Sequence, residues 1–544
     1  MALKGALRSI PLFKNLSDED LEFVTSNLRK RGYRKGEIVF REGEDGEAMY
    51  LVESGQVAVV GQDVRETIAL LGPGSFVGEI SLLLTQPRTA TLQVIIDAEL
   101  WAFHKKDFEK LILSRPAIAR EMMRELSRRL VTTTHRKQPL SRRRLAALFG
   151  GHKVVELCQA IYHKLQKPVG LLPLPGATFT GEATLKNGII LLGNENLTEA
   201  ALAEGLSYQV EVFKQVILLL PDQPSLLAWK ALELADTVVS LGQPPPWFKP
   251  PNDAQEVWLS GETEAEILRI ARRLTNRSVG LALSSGGARG LAHIGVLKAL
   301  MAANIPIDLV AGTSSGAWFG AFYCAGWTIE QFDYFVKNIK KIVLRFSNAD
   351  FNFFPKNALF KGVKARNRVI ARSVGVDTFE ALHTPLYIIA ADILTGDEIV
   401  FSSGPLTDAI RASLSVPVLF EPWHYQGRYF VDGGVVNPLP ASTLRDHGAD
   451  IVIGSSVIQP LRESYGGRKD KAPHILQSVF NIVSAMESEV IKKQLPLVDF
   501  LIQHKVSAKH TLDFDRAEAI VQAGEEVARQ MIPDIKAAIE SPPE

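Results

Sequence analysis

IDLVAGTSSGAWFGAFYCAG, Ile307 to Gly326, decides how the C-terminal half of this chain is read. The apolar run up to Gly312 predicts a short strand, the small-residue stretch after Ser315 predicts a helix, and Ser314 stands at the corner. Gly312-Thr313-Ser314-Ser315-Gly316 fits G-x-S-x-G, a strained strand-to-helix turn that holds a serine hydroxyl outward. Gly312 and Gly316 lie two residues either side of Ser314, where side chains would collide as the helix folds back past the strand. Gly316, Gly320 and Cys324, with Ala317, Ala321 and Ala325 beside them, let that helix approach a sheet closely. Gly326 is a natural stop. Five-residue patterns of this kind also arise by chance, so the surrounding sequence has to carry the reading.

Upstream, the strand Val279–Leu283 leads into Ser284-Ser285-Gly286-Gly287-Ala288-Arg289-Gly290 and then a helix with Ile294, Leu297 and Met301 on one face. A glycine-rich turn at a helix start presents N–H groups suited to a developing oxyanion. A dinucleotide fingerprint with Asp308 as the distal acid competes for this stretch, but its first glycine is Ser285 and it leaves Ser314 unexplained. Downstream, Tyr429-Phe-Val-Asp432-Gly433-Gly434 places an acid at a strand end. Partly desolvated there, Asp432 could take the Ser314 proton directly, making a two-residue dyad. The rival is a triad in the order Ser, Asp, His with His447, although Leu444-Arg-Asp-His-Gly-Ala reads as a helix terminus. His293, Asp408 and Arg411 read most simply as packing or structural residues.

G-G-x-R-G, G-T-S-x-G and D-G-G in this order, with GLAHIGVLKAL, DAIRASLSVPVLFEP and DGGVVNPLP between and around them, resemble the patatin-like phospholipase family over about residues 278 to 455. The resemblance implies that Ser314 is the nucleophile and Asp432 the base and later acid. It also implies that Gly286, Gly287, Ala288, Arg289 and Gly290 form the oxyanion loop, with Gly312 and Gly316 shaping the elbow. A helix from Asp515 to Ala538 would close the domain. No catalytic cofactor or metal is expected, because neither proton transfer nor acyl transfer by such a dyad needs one and no His/Cys cluster has ligand spacing.

The first 140 residues read differently. Short apolar strands from Gly36 to about Phe103, punctuated by glycines, predict an antiparallel barrel or jelly roll, followed by a helical tail from Lys106 to about Thr133. Within it, Phe76-Val77-Gly78-Glu79-Ile80-Ser81-Leu82-Leu83-Leu84-Thr85-Gln86-Pro87-Arg88-Thr89-Ala90 puts a glycine before a short helix, a setting that cradles small phosphates. This segment resembles the phosphate-binding cassette of the cyclic-nucleotide-binding domain. By that resemblance Glu79 would hold the ribose hydroxyl and Arg88 the cyclic phosphate of cyclic AMP or cyclic GMP, with Gly78 and Thr89 nearby. Val77 stands where that family commonly has glycine. Combined with the C-terminal half, the pattern resembles the neuropathy-target-esterase class of lysophospholipases, with one sensor domain and no membrane-spanning run.

The whole reading is multidomain: a regulatory β-barrel over 1–140, a central α/β unit of parallel strands over 145–255 with no assigned chemistry, and an α/β hydrolase over 275–540. The stretch GQPPPWFKPP (242–251) reads as a stiff linker. The expected activity is cleavage of carboxylic esters of phospholipids or lysophospholipids through an acyl-enzyme, under cyclic-nucleotide control. The alternative is a cyclic-nucleotide-responsive scaffold with a vestigial esterase fold. Composition narrows the rest. The 544 residues are 46% hydrophobic, enough for several cores, and a formal net charge of +1 argues against a chain that coats nucleic acid. A DNA-reading regulator would need a recognition helix after the barrel, and none is legible. Two cysteines, Cys158 and Cys324, exclude a disulfide framework. The start lacks a secretory core, so a cytoplasmic protein is expected. Nine Lys or Arg between Arg120 and Arg144, against Glu121 and Glu125, suggest peripheral contact with an anionic membrane. The helix after the barrel suggests a homodimer.

Overall fold

The computed structural model describes residues 18–60, 67–84, 86–114, 144–180, 188–193, 197–248, 258–350, 358–363, 370–458, 475–504 and 514–540. The chain divides into two compact units, Met1–Thr275 and Asn276–Glu544.

In the first unit, glycine-punctuated apolar runs fold as a six-stranded antiparallel sheet. Its spine is the pair of long strands Ala48–Val60 and Thr91–His104, whose register slips between Val52 and Val57. Gly55 sits in that slip because a Cβ there would lie 2.1 Å from the Asp97 carbonyl oxygen. The first turns of the expected helical tail are present as Lys105–Ser114. Its remainder, and all of the basic stretch except Arg144, lie outside the described residues.

A second sheet in the same unit is wholly parallel, in the order Trp258–Ser260, Thr237–Ser240, Leu145–Phe149, Gln215–Leu219, Val169–Pro173 and Ile189–Leu191. Its central strands are buried along their whole length, which is why they read as unbroken apolar runs rather than alternations. The sheet extends past residue 255, and the helix Glu264–Leu274 packs Ile267, Ile270 and Leu274 into its core behind a Thr263/Glu266 capping box. Ile96 of the antiparallel sheet enters the other core of this parallel layer. Lys35 Nζ donates to the carbonyls of Leu234 (2.7 Å) and Ala235 (2.6 Å), and Lys230 pairs with Asp97.

The second unit is built on an eight-stranded mixed sheet. Parallel strands Leu386–Asp392, Leu309–Thr313, Val279–Leu283, Ile451–Ser456 and Phe500–Gln503 lie side by side in that order. Glu398–Phe401 and Arg428–Asp432 pair antiparallel with Leu386–Asp392, and Trp423–Tyr425 pairs antiparallel with Arg428–Asp432. The helices Leu291–Ala302 and Ser315–Cys324 carry buried residues nearly all round, as elements covering a central sheet do. The closing helix is Ala517–Glu540. It crosses Leu291–Ala302 at two glycines, since a Cβ on Gly295 would lie 2.0 Å from the Val521 carbonyl oxygen and one on Gly524 would lie 2.1 Å from that of Ala292. Cys158 and Cys324 are buried and not joined in a disulfide. Among the described residues no helix is long and apolar enough to cross a membrane.

Candidate active site

Ser314 follows the last residue of the strand Leu309–Thr313 and caps the helix Ser315–Cys324. Its backbone has φ 56° and ψ −119°, a conformation that L-residues adopt only where the surroundings impose it. The surroundings do so on three sides. A Cβ on Gly316 would lie 2.3 Å from the Leu283 carbonyl oxygen, and one on Gly312 would lie 2.6 Å from the Ala317 nitrogen, so the turn closes only with hydrogen at both positions. The Ser314 N–H donates to Ser413 Oγ at 2.8 Å, and that hydroxyl donates onward to the Ile389 carbonyl at 2.6 Å. Thr313 Oγ1 donates to the Asn437 carbonyl at 2.7 Å.

Asp432 ends the strand Arg428–Asp432, where it pairs with Ala390 on the strand adjoining the elbow strand. Its N–H donates to the Ser415 carbonyl at 3.0 Å, its Oδ1 accepts the Gly434 N–H at 2.8 Å, and its Oδ2 accepts the Ser314 hydroxyl at 2.5 Å. Ser314 is 3% and Asp432 6% exposed. Burial pushes the Asp432 carboxyl up to about 6, against the hydrogen bonds from Ser314 and Gly434 that favour its charged form. A base of that strength is ionised near neutral pH yet still takes a proton readily.

The glycine loop runs from the end of Val279–Leu283 into a short 3-10 turn, Gly287–Gly290, ahead of the helix Leu291–Ala302. A Cβ on Gly290 would lie 2.1 Å from Ser315 Oγ, so the loop lies against the residue next to Ser314. Arg289 is partly exposed, and burial holds its guanidinium below the usual arginine value. Thus Ser314, Asp432, Gly312, Gly316 and the loop Gly286, Gly287, Ala288, Arg289 and Gly290 meet at the same end of one sheet.

Neither candidate histidine bonds Ser314 or Asp432. His447 Nδ1 bonds the Thr443 carbonyl at 2.8 Å and its ring lies 4.0 Å from that of Tyr387. His293 is fully buried between Ser455 Oγ (2.8 Å) and the Ser284 carbonyl (2.9 Å), and burial pushes it down to about 3, so it stays neutral. Asp408 accepts from the Trp423 indole at 3.1 Å. Arg411 is enclosed by the carbonyls of Gly362, Lys361 and Glu421 and packs over Phe420 and Trp423.

Three polar residues near the dyad carried no assignment from sequence: Ser285, Ser413 and Glu487. Ser413 lies inside the RASLSVP run, which carries a local sequence signal for it. Glu487 lies in the helix Ile475–Gln494 among other charged residues, with no motif around it.

The barrel cassette is built around Arg88. Gly78 holds φ 82°, and the short helix Glu79–Leu84 follows. Arg88 is 5% exposed; Nη1 donates to the Gly78 carbonyl and Ser81 Oγ, both at 2.8 Å, and Nη2 to the Ala48 carbonyl at 2.6 Å, while the guanidinium lies 4.0 Å over the Phe40 ring. Its Nε–H is buried with no hydrogen-bond acceptor among the described residues. An orphaned guanidinium donor fits the phosphate that such a cassette receives. Glu79 is buried close enough to act electrostatically on Arg88, whereas Thr89 is exposed.

Residues 281–445 match the family profile of patatin-like phospholipase, and residues 30–115 that of the cyclic nucleotide-binding domain. Behind a cyclic-nucleotide-binding domain, the chain carries a patatin-like phospholipase domain. The similarity extends end to end to an uncharacterized NTE family protein of Mycobacterium tuberculosis, 24% identical over 98% of this chain and 97% of that one. The mouse patatin-like phospholipase domain-containing protein 6 is 25% identical over 78% of this chain, which spans 37% of the mouse protein's length. A lysophospholipase of Neurospora crassa is 24% identical over 81% of this chain and 36% of its own. The patatin-like phospholipase match makes the chain an enzyme of the phospholipase and esterase class, and the Ser314–Asp432 pair lies inside the matched segment.

Proposed function

We propose that the patatin-like domain hydrolyses carboxylic esters of phospholipids or lysophospholipids through a Ser314–Asp432 dyad. The reading rests on the 2.5 Å hydrogen bond from Ser314 Oγ to Asp432 Oδ2 at a strained elbow. Asp432 takes the hydroxyl proton as Ser314 Oγ attacks the ester carbonyl, and the glycine loop stabilises the oxyanion. Collapse expels the leaving alcohol, which takes the proton from Asp432. Asp432 then deprotonates water, which cleaves the acyl-Ser314 ester and restores both groups. Neither His447 nor His293 takes part: they are committed to backbone carbonyls and to a neighbouring hydroxyl. The cyclic-nucleotide-binding domain receives cyclic AMP or cyclic GMP at Gly78, Glu79 and Arg88, and ligand there biases hydrolysis. Contact with a membrane surface, a cytoplasmic setting and a homodimer complete the proposal.

The test is hydrolysis of lysophosphatidylcholine and of a short-chain nitrophenyl ester. Ser314→Ala and Asp432→Asn should each lose at least about a thousandfold in kcat, while His447→Ala keeps its rate. Loss in His447→Ala equal to that in Asp432→Asn would favour a triad. Wild type inactive with and without cyclic nucleotide would favour the scaffold reading.

A further inference from the structure

Outside the segment matched to patatin-like phospholipases, the helix Ile475–Gln494 brings a carboxyl to the dyad. Glu487 is partly exposed as a residue, but its carboxyl is turned in, and Oε1 accepts the Ser285 hydroxyl at 2.7 Å. Gly434 marks how tightly the groups converge. A Cβ there would lie 2.4 Å from Glu487 Oε1 and 3.2 Å from both Asp432 Oδ1 and Ser285 Oγ. Ser285 opens the glycine loop, and its N–H is fixed by the Pro438 carbonyl at 2.9 Å. The same helix is tied beside the site by Gln494, whose Oε1 accepts the Ser442 N–H at 2.9 Å, and Ser442 in turn accepts from Asn437 at 3.1 Å.

We propose that Glu487 is a positioning residue of the hydrolytic site, holding Ser285 and hence the start of the glycine loop in register with Ser314 and Asp432. The proposal rests on the dyad reading above. Burial pushes the Glu487 carboxyl up to about 7, the Ser285 hydrogen bond opposes that rise, and the Asp432 charge adds to it while Arg289 opposes it, so the carboxyl gains a proton as pH falls through neutrality. Two ionised carboxylates around one glycine repel, which favours a proton on one of them. A neutral carboxyl still accepts through its carbonyl oxygen. A shift of the loop by an ångström would move the oxyanion donors off the reacting carbonyl, a displacement that costs about a hundredfold in rate.

The experiment compares Glu487→Leu, which keeps bulk and removes the acceptor, with Glu487→Gln, which keeps the acceptor and stays neutral. Ser285→Ala and the double variant Ser285→Ala/Glu487→Leu complete the set. Glu487→Leu should lose about ten- to a hundredfold in kcat on the nitrophenyl ester with KM within about threefold. Glu487→Gln should recover most of that loss, and the double variant should be no slower than the worse single one. Thermal midpoints monitor folding. Wild-type kcat in Glu487→Leu, equal losses in the Leu and Gln variants, or a loss confined to KM would each overturn the assignment. Ser314→Ala is run alongside: if it is dead while Glu487→Leu is fully active, the positioning role fails and the dyad stands, whereas wild-type rates in Ser314→Ala would remove both.

Discussion

At the residue scale the proposed dyad trades stability for chemistry. The folded-state pKa of Asp432, about 6, lies above the 3.8 of an ordinary aspartate, so folding favours its protonated form. Stability is therefore greatest below about pH 4 for this group and is lost as pH rises to about 6, a loss of roughly 3 kcal/mol when the shift is converted at about 1.4 kcal/mol per unit. Activity runs the other way, because the base must be ionised. The kcat/KM profile should rise with an inflection near pH 6, measured on a soluble ester. Asp432→Asn should be inactive and yet melt higher than wild type at pH 8, with the difference shrinking toward pH 4; an unchanged gap across that range would show that the carboxyl is not desolvated. Ser413 yields a second prediction. Its hydroxyl joins the Ser314 N–H to the Ile389 carbonyl, so Ser413→Ala strands two buried backbone groups. Each costs about 1–3 kcal/mol, and both the thermal midpoint and kcat should fall.

At the element scale, glycines separate backbone contacts from side-chain contacts. A Cβ on Gly295 or Gly524 meets a carbonyl oxygen of the opposing helix, which cannot yield without moving the helix, whereas one on Gly320 meets side-chain methyls, Val310 Cγ1 at 3.2 Å, Leu283 Cδ1 at 3.3 Å and Leu386 Cδ1 at 3.6 Å. Gly295→Ala should therefore destabilise the unit by about 1–3 kcal/mol or more, while Gly320→Ala stays near wild type; differential scanning calorimetry distinguishes them. The Ser314 turn, the glycine loop and the Asp432 strand end were legible because each carries its geometry in local residues: glycines where backbones touch, an acid after an apolar run. The parallel layer was legible too, since both faces are covered and the strands read as apolar runs. Trp258–Ser260 was not, being three residues of edge strand. Glu487 was illegible for a different reason. Nothing around it in sequence distinguishes a glutamate facing Ser285 from Glu489, which faces Lys492.

At the scale of the molecule, the two units carry two binding chemistries, and linkage makes a checkable demand on them. If cyclic nucleotide at Arg88 changes affinity for a substrate analogue at Ser314 by some factor, the analogue must change nucleotide affinity by the same factor. Isothermal titration in each order measures both, and unequal factors would show that the two ligands do not report on one equilibrium. Nucleotide alone should raise the melting midpoint of the Met1–Thr275 unit by mass action, and Arg88→Gln should abolish that rise. Strand order has one more consequence. Val279–Leu283, which leads into the glycine loop, lies between Leu309–Thr313 and Ile451–Ser456, and the latter pairs in turn with Phe500–Gln503. On the ribosome these segments emerge far apart in time, so the elbow serine is synthesised long before the strands that complete its sheet. A nascent chain stalled before Ile451 therefore already carries both Ser314 and Asp432, but lacks the two strands, Ile451–Ser456 and Phe500–Gln503, that extend the finished sheet beyond the glycine-loop strand.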